Sequence, residues 1–244
     1  LGKESIVIIL MAFDILTEVE SLPKCVLMWR SFIHWVGGMG VLVFMLAVVP
    51  MSGESIYLLR AESPGPSVSK MVPKMRTSAA ITYGIYIAMT LLLILLYQVG
   101  RLFGWGNISL YDSVCLAFGT AGTGGFAVRC DGLASYSMYE QALTTVFMIL
   151  FGVNFSVYFF LICRKYKLAW QNSELKCYIG IILTAITLIT VNLITTGGYF
   201  ATVGEAIHHV AFSVGSIITT TGYGTVDFAQ WPEFSRVLLV LLMI

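Results

Sequence analysis

Apolar residues run through this chain in long blocks, and polar residues gather in the gaps between them. Five blocks stand out, at residues 29–49, 78–99, 138–162, 177–196 and 234–244. About 20 helical residues cross the hydrocarbon of a bilayer, so the first four blocks predict spanning helices, and the fifth has about half that length. A run at 5–16 is too short to span and is interrupted by Asp14. Two shorter segments, 111–118 and 203–218, lie between the spans. Each carries an acid near its start, Asp112 and Glu205, runs apolar for a few turns, and then meets a Thr/Gly tract. That pattern predicts a re-entrant half-helix followed by irregular backbone. Such backbone is tolerated at membrane depth only where protein or a water-filled cavity surrounds it.

A unit then recurs: helix, half-helix, Thr/Gly tract, helix. One copy is 78–99, 111–118, 120–126 and 138–162; the next is 177–196, 203–218, 219–224 and 234–244. The tracts align as AGTGGF (121–126) over ITTTGY (218–223), with Gly125 on Gly222 and an aromatic after each. The block at 29–49 reads as the closing helix of an earlier copy. Its WVGGMGVLVF (35–44) lies over LFGVNFSVYF (150–159), which sets Gly38 on Gly152. The expected division is 1–50, a divergent N-terminus and the closing helix of the first unit; 51–77, a loop; 78–163, the second unit; 164–176, a loop; and 177–244, the third unit, cut short.

Composition settles the solvent. Of 244 residues, 58% are hydrophobic and 11% charged, and the mean hydropathy is +0.87. Soluble domains carry about 25% charged residues, so this chain is expected to be an all-α integral membrane protein in contact with lipid. The net charge of +1 offers no field that would draw nucleic acid. Of the 14 basic residues, Arg60, Lys70, Lys74 and Arg76 share one loop, and Arg164, Lys165, Lys167 and Lys176 share another. The opposite connections hold Arg101 and Arg129 among acids such as Asp112, Asp131, Glu205, Asp227 and Glu233. The basic loops, 51–77 and 163–177, should therefore be cytoplasmic and both tracts should face outward. The N-terminus is not a clean secretory signal, because Lys3 and Glu4 precede an apolar run containing Asp14. Cys25, Cys115, Cys130, Cys163 and Cys177 form no C-x-x-C pair, which argues against a zinc site or a disulfide scaffold.

The tracts carry the candidate chemistry. A desolvated cation needs oxygens fixed where water stood, and backbone carbonyls can supply them. Aiming successive carbonyls at one axis needs backbone angles that glycine adopts cheaply. Gly122, Gly124, Gly125, Gly222 and Gly224 supply that freedom, and Thr123, Thr219, Thr220 and Thr221 add hydroxyls. The half-helices end at the tracts, so their partly negative ends point at the ion. No acid lies inside either tract, and carbonyls without carboxylates favour a weakly hydrated monovalent ion over calcium or magnesium. Close helix packing is the other reading of such small-residue tracts; the recurrence of the whole unit weighs against it. A solute transporter with broken helices would show an inverted repeat, whereas these copies run in the same direction. Nothing resembles a nucleophile beside a base, so no enzyme is expected, and the three histidines are not spaced as metal ligands.

WRSFIHWVGGMG (29–40), RAESPGP (60–66), GGF (124–126) and TTTGYGTVDFAQWP (219–232) together resemble the TrkH/TrkG branch of the Trk/Ktr/HKT potassium transporter superfamily. The resemblance runs from about residue 16 to the end. It implies one polypeptide of four helix–pore-loop–helix units around a pseudo-fourfold potassium pathway in the bacterial inner membrane, with potassium as substrate and no bound cofactor. It implies a TrkA-type cytoplasmic nucleotide-binding regulatory subunit facing the loop 60–76, and a homodimer of pores. Carried over by position, the ion-binding filter residues are Gly122, Thr123, Gly124 and Gly125 in one tract, and Thr219, Thr220, Thr221, Gly222 and Tyr223 in the other. Tyr223 and the glycines favour potassium, since serine in place of a filter glycine is the superfamily's usual mark of sodium passage. Members are about twice as long. The first filter should stand before ILTEVESLPK (15–24), where this chain reads SIVIILMAFD (5–14) without a Thr-x-x-Gly pattern. The expectation is a fragment, a truncated gene product or one piece of a split assembly; an alternative is a non-conducting remnant that only inserts and binds partners.

Other polar residues have expected places. Gly152 and Asn154 are candidates for pore lining or filter support, and Asn192, also mid-span, should face the bundle interior. His34 is read as a packed histidine, and His208 or His209 as a brace of the tract. Gly37, Gly38 and Gly40 are read as close-packing positions. Trp29 and Arg30 are expected to anchor at the outer interface.

Overall fold

The computed structural model describes residues 22–38, 68–162, 164, 170 and 173–243, and among them every regular element is helical. In chain order these are α1 (Lys24–Gly38), α2 (Val68–Leu102), α3 (Leu110–Ala121), α4 (Met138–Phe151), α5 (Phe155–Ile162), α6 (Ser173–Thr196), α7 (Val203–Ile218), a 3-10 turn (Phe228–Gln230) and α8 (Glu233–Leu241). The first expected tract position, residues 51–67 of the expected loop 51–77 and most of the expected loop 164–176 lie outside the described residues; residues 68–77 and 173–176, expected as loop, are the first turns of α2 and α6.

The two half-helices begin by the same device. Ser109 accepts from the backbone N–H of Asp112, and Thr202 accepts from that of Glu205. A hydroxyl at the N-cap takes a donor the first turn cannot pair, and an acid in that turn suits the positive end of the helix. α4 starts with the reciprocal version: Glu140 N–H donates to Ser137, and Ser137 N–H donates to Glu140 Oε2.

Long helices surround the short ones. α3 packs on α1, α2 and α4, while α7 packs on α4 and α6, and α8 closes over α6. One core joins Tyr86, Leu93 and Tyr97 of α2 to Leu116 and Ala117 of α3 and Phe147, Met148 and Phe151 of α4. Another joins Ile182, Ala185 and Ile189 of α6 to Val210 and Val214 of α7, with Trp231 and Leu239. Phe212 and Tyr223 reach from the later part of the chain into the first core. Leu91, Leu92 and Leu95 on α2, and Leu183, Leu188 and Val191 on α6, are exposed. Long helices with apolar outer faces suit a lipid surround rather than water. Ala80–Leu102 and Ser173–Thr196 are long and apolar enough to cross a membrane.

The expected single span at 138–162 is corrected. It breaks between α4 and α5, over residues 152–154. Gly152 is a weak helix former, and the Val153 N–H turns to the Leu150 carbonyl. The carbonyls near the break find hydroxyl donors: Tyr158 donates to Leu150 at 2.6 Å and Tyr178 to Ile149 at 3.1 Å. Replacement by neighbouring side chains is what lets a helix break inside an apolar layer.

Met148 is fully buried and Leu92 is 49% exposed. Met148→Ala should cost about 2–5 kcal/mol of stability through the cavity it leaves, and Leu92→Ala should change stability by less than about 0.5 kcal/mol. Thermal unfolding in lipid nanodiscs, followed by tryptophan fluorescence, checks the contrast; equal shifts would refute the assigned core.

Candidate functional site: two facing Thr/Gly tracts

Each half-helix is capped by the first filter residue of its tract, α3 by Gly122 (φ −78°) and α7 by Thr219 (φ −90°). The backbone then follows one course twice. Thr123 and Thr220 have φ of +53° and +56°, and Gly125 and Gly222 have φ of +64° and +85°. The aligned pairs thus share sign at every step, since Gly124 and Thr221 between them are not among the positive-φ residues. Positive φ in a β-branched residue is an outlier that persists only where the surroundings enforce it, at a cost of about 1–3 kcal/mol.

The hydrogen bonds repeat in the same register. In the first tract the N–H groups of Gly122, Thr123 and Gly124 donate to Phe118, Thr120 and Gly119 at 2.9, 3.2 and 2.9 Å. In the second, those of Thr219, Thr220 and Thr221 donate to Gly215, Ile217 and Ser216 at 3.2, 3.0 and 2.8 Å, and Gly222 also donates to Ser216. A trans peptide holds its carbonyl opposite its N–H. With the donors turned back onto the helix, the carbonyls of Gly122 and Thr123, and of Thr219, Thr220 and Thr221, point away from it. The Thr219 and Thr221 hydroxyls bond each other at 2.7 Å.

The tracts meet backbone to backbone: Gly125 stands against the Thr221 carbonyl and Gly222. An open depression of about 500 Å³ lies over the meeting point, with Gly125, Phe126, Gly222 and Gly224 among its lining and Arg30, Arg129, Asp131 and Asp227 also lining it. The irregular segment beyond the first tract is tied to the second, through Leu133 N–H to the Gly224 carbonyl at 3.0 Å.

Tyr223 is placed as a brace. Its side chain is buried, its hydroxyl donates to the Leu116 and Phe126 carbonyls at 3.3 and 3.4 Å, and its own carbonyl accepts from Ser216 at 2.7 Å. Gly152 lies against Thr219. Asn154 is exposed at the break between α4 and α5 and bonds Glu174, so it is not brought to the tracts. Asn192 accepts from Ser235 of α8.

The expectation for Arg30 is corrected. It is 7% exposed, donates to the Ala127 carbonyl at 3.0 Å and lies over the Phe126 ring. Trp29 beside it is exposed. His34 is packed, as expected, but its neighbours are the tract itself: Gly122, Gly124 and, edge-on, Phe126. A Cβ on Gly38 would collide with Gly122, one on Gly37 would meet no described residue within 4 Å, and Gly40 lies outside the described residues. The missed signal was spacing. Arg30, His34 and Gly38 stand four apart and so share one face of α1, the face that packs on the first tract. Both histidines of α7 support the loops: His209 bonds Thr225 at 3.0 Å, and His208 bonds Gln141 at 2.9 Å. Gln141 in turn donates to the carbonyls of Leu133 and Tyr136.

The family model for TrkH, described as a cation transport protein, matches residues 10–244. The chain is 29% identical over 229 residues to the Trk system potassium uptake protein TrkH of Escherichia coli strain K12, covering 92% of this chain and 46% of that protein. It is 30% identical over 230 residues to the TrkH of Salmonella typhimurium, with the same coverages. It is 29% identical over 231 residues to the Trk system potassium uptake protein TrkG of E. coli K12, covering 93% of this chain and 46% of that one. The chain therefore spans about half the length of the curated relatives it matches. The crystal structure of the potassium transporter TrkH from Vibrio parahaemolyticus shares its fold, with a TM-score of 0.71 and 24% identity over 92% of this chain and 44% of that one.

A Cβ at Gly125 would collide with the Thr221 carbonyl, whereas one at Gly222 meets no described residue within 4 Å. Gly222→Ala should therefore cost only its conformational penalty, about 1–2 kcal/mol, and Gly125→Ala should cost more. Unfolding midpoints of the two variants test this ranking, and the reverse order would refute the facing of the tracts.

Proposed function

The chain belongs to the TrkH family of cation transport proteins, and on that premise we propose that its tracts form two sides of a potassium selectivity filter in a Trk-type uptake system. One observation carries the reading: two separate tracts hold a threonine at positive φ at aligned positions, with their N–H groups turned back in the same register. Strain of this kind is kept at sites whose geometry has work to do. The carbonyls of Gly122, Thr123, Thr219, Thr220 and Thr221 replace part of the ion's water. Gly124, Gly125 and Gly222 turn the backbone. Tyr223 acts by bracing rather than by ligating, and Gly152 supports the filter by admitting Thr219.

The physics favours a weakly hydrated monovalent cation. A cage of neutral oxygens strips a weakly hydrated monovalent ion at lower cost than it strips a divalent one. The ends of α3 and α7 add partial negative charge without fixing a carboxylate beside the ion. The names of the matched relatives support potassium as that ion. The two units here are two parts of a pseudo-fourfold pathway; the remaining sides come from a longer polypeptide or from other chains. The protein works in the bacterial plasma membrane with its tracts outward. Its basic segment at 51–77, which includes the first turns of α2, faces a cytoplasmic nucleotide-binding regulatory subunit, and two pores pair as a homodimer.

Rubidium uptake in cells lacking their own potassium uptake tests the proposal. The cells would express the chain, and in parallel the chain joined to the first tract and fourth unit of a relative. Uptake should appear in the completed chain, and Gly222→Ser should raise sodium entry relative to rubidium. Absence of uptake from both, with both in the membrane, would sink the potassium reading and leave a chain that inserts and binds partners only.

A further inference from the structure

The boundary between successive units is built the same way twice, from residues outside both tracts. On α2, Tyr86 donates its hydroxyl to the Trp35 carbonyl of α1 at 2.8 Å. On α6, Tyr178 donates its hydroxyl to the Ile149 carbonyl of α4 at 3.1 Å. Trp35 and Ile149 each stand three residues before a glycine, Gly38 and Gly152. Each glycine lies between the tyrosine hydroxyl and the first filter residue of a tract. A Cβ on Gly38 would stand 2.9 Å from the Tyr86 hydroxyl and 2.5 Å from Gly122 Cα. A Cβ on Gly152 would stand 2.5 Å from the Tyr178 hydroxyl and 2.7 Å from Thr219 Cγ2. Gly122 and Thr219 are the matching C-caps of α3 and α7.

We propose that Tyr86 and Tyr178 are positioning residues, each latching the closing helix of one unit onto the first filter residue of the next unit's tract. The hydroxyl grips a backbone carbonyl rather than a side chain, so it fixes the height of the helix along its axis. The glycine beside it removes the one atom that would hold the tract away. Helix and tract then sit in direct contact, and the position of each tract is set by the unit before it. The side chains around the two latches differ: Trp35 stacks on Phe118 in one, and Ile149 stands near Gly215 in the other. What recurs is the hydroxyl, the carbonyl and the glycine. The role in ion choice rests on the filter reading above; the mechanical role does not.

Hydrogen–deuterium exchange on the purified chain in nanodiscs, resolved to the two tracts, tests the latch. Tyr178→Phe should speed exchange at 219–222 roughly fivefold, the loss of one hydrogen bond, and leave 122–125 unchanged. Tyr86→Phe should do the reverse. Equal acceleration in both tracts, or none in either, would overturn the proposal. The same variants in the completed chain should keep their membrane abundance while the rubidium-to-sodium uptake ratio falls. An unchanged ratio would overturn the role in ion choice. Should the unaltered completed chain take up no rubidium while exchange changes tract by tract, the latch stands and the filter reading fails.

Discussion

A backbone that leaves its helix within an apolar layer must find a partner for every N–H and C=O it frees, because no water is at hand to take them. The irregular segments here obey that constraint one group at a time. Each tract sends its first N–H groups back to the last turn of its own half-helix. At the break in the α4–α5 segment, the hydroxyls of Tyr158 and Tyr178 take the neighbouring carbonyls. Once the donors are spent, a tract has only oxygens left to offer its other side. A surface that only accepts hydrogen bonds is also one that suits a bare cation, and the proposed filter rests on that chemistry.

Holding threonine at positive φ needs support from elsewhere, and it comes from three directions. α1 presses Arg30, His34 and Gly38 onto the first tract. Tyr223 and Ser216 pin the end of the second tract, and the Tyr223 hydroxyl crosses to the first half-helix. His208, Gln141 and His209 hold the segments that follow both tracts. Each tract is thus over-determined by neighbours, as a strained backbone requires. Arg30 brings a positive charge close to a region read as a cation path, yet its guanidinium is engaged by the Ala127 carbonyl and the Phe126 ring.

Much of the fold is legible as pattern. The half-helix at 203–218 and the long helix ending at Thr196 appear where the apolar blocks stop. The register of AGTGGF over ITTTGY, read from letters, is the register in which φ signs and hydrogen bonds repeat. Pattern failed at 138–162, where hydropathy runs on unbroken while the helix does not. Hydropathy weighs side chains, and the break depends on whether two tyrosine hydroxyls stand close enough to replace helical bonds. It failed too at Arg30, whose charge placed it at an interface until the Ala127 carbonyl and the Phe126 ring gave it a buried partner.

By itself, the sequence determined the apolar surround, the order of the elements and the residue types able to turn a backbone, because these depend on local composition and spacing. The tertiary structure alone decided which tract atoms face which neighbour, that Tyr223 braces, and that Asn154 stands apart from the tracts. It alone set Gly38 and Gly152 against the tracts at matching points. Those outcomes depend on contacts between residues far apart in the chain, such as Tyr223 with Leu116 or Arg30 with Ala127. No local pattern encodes such a distance.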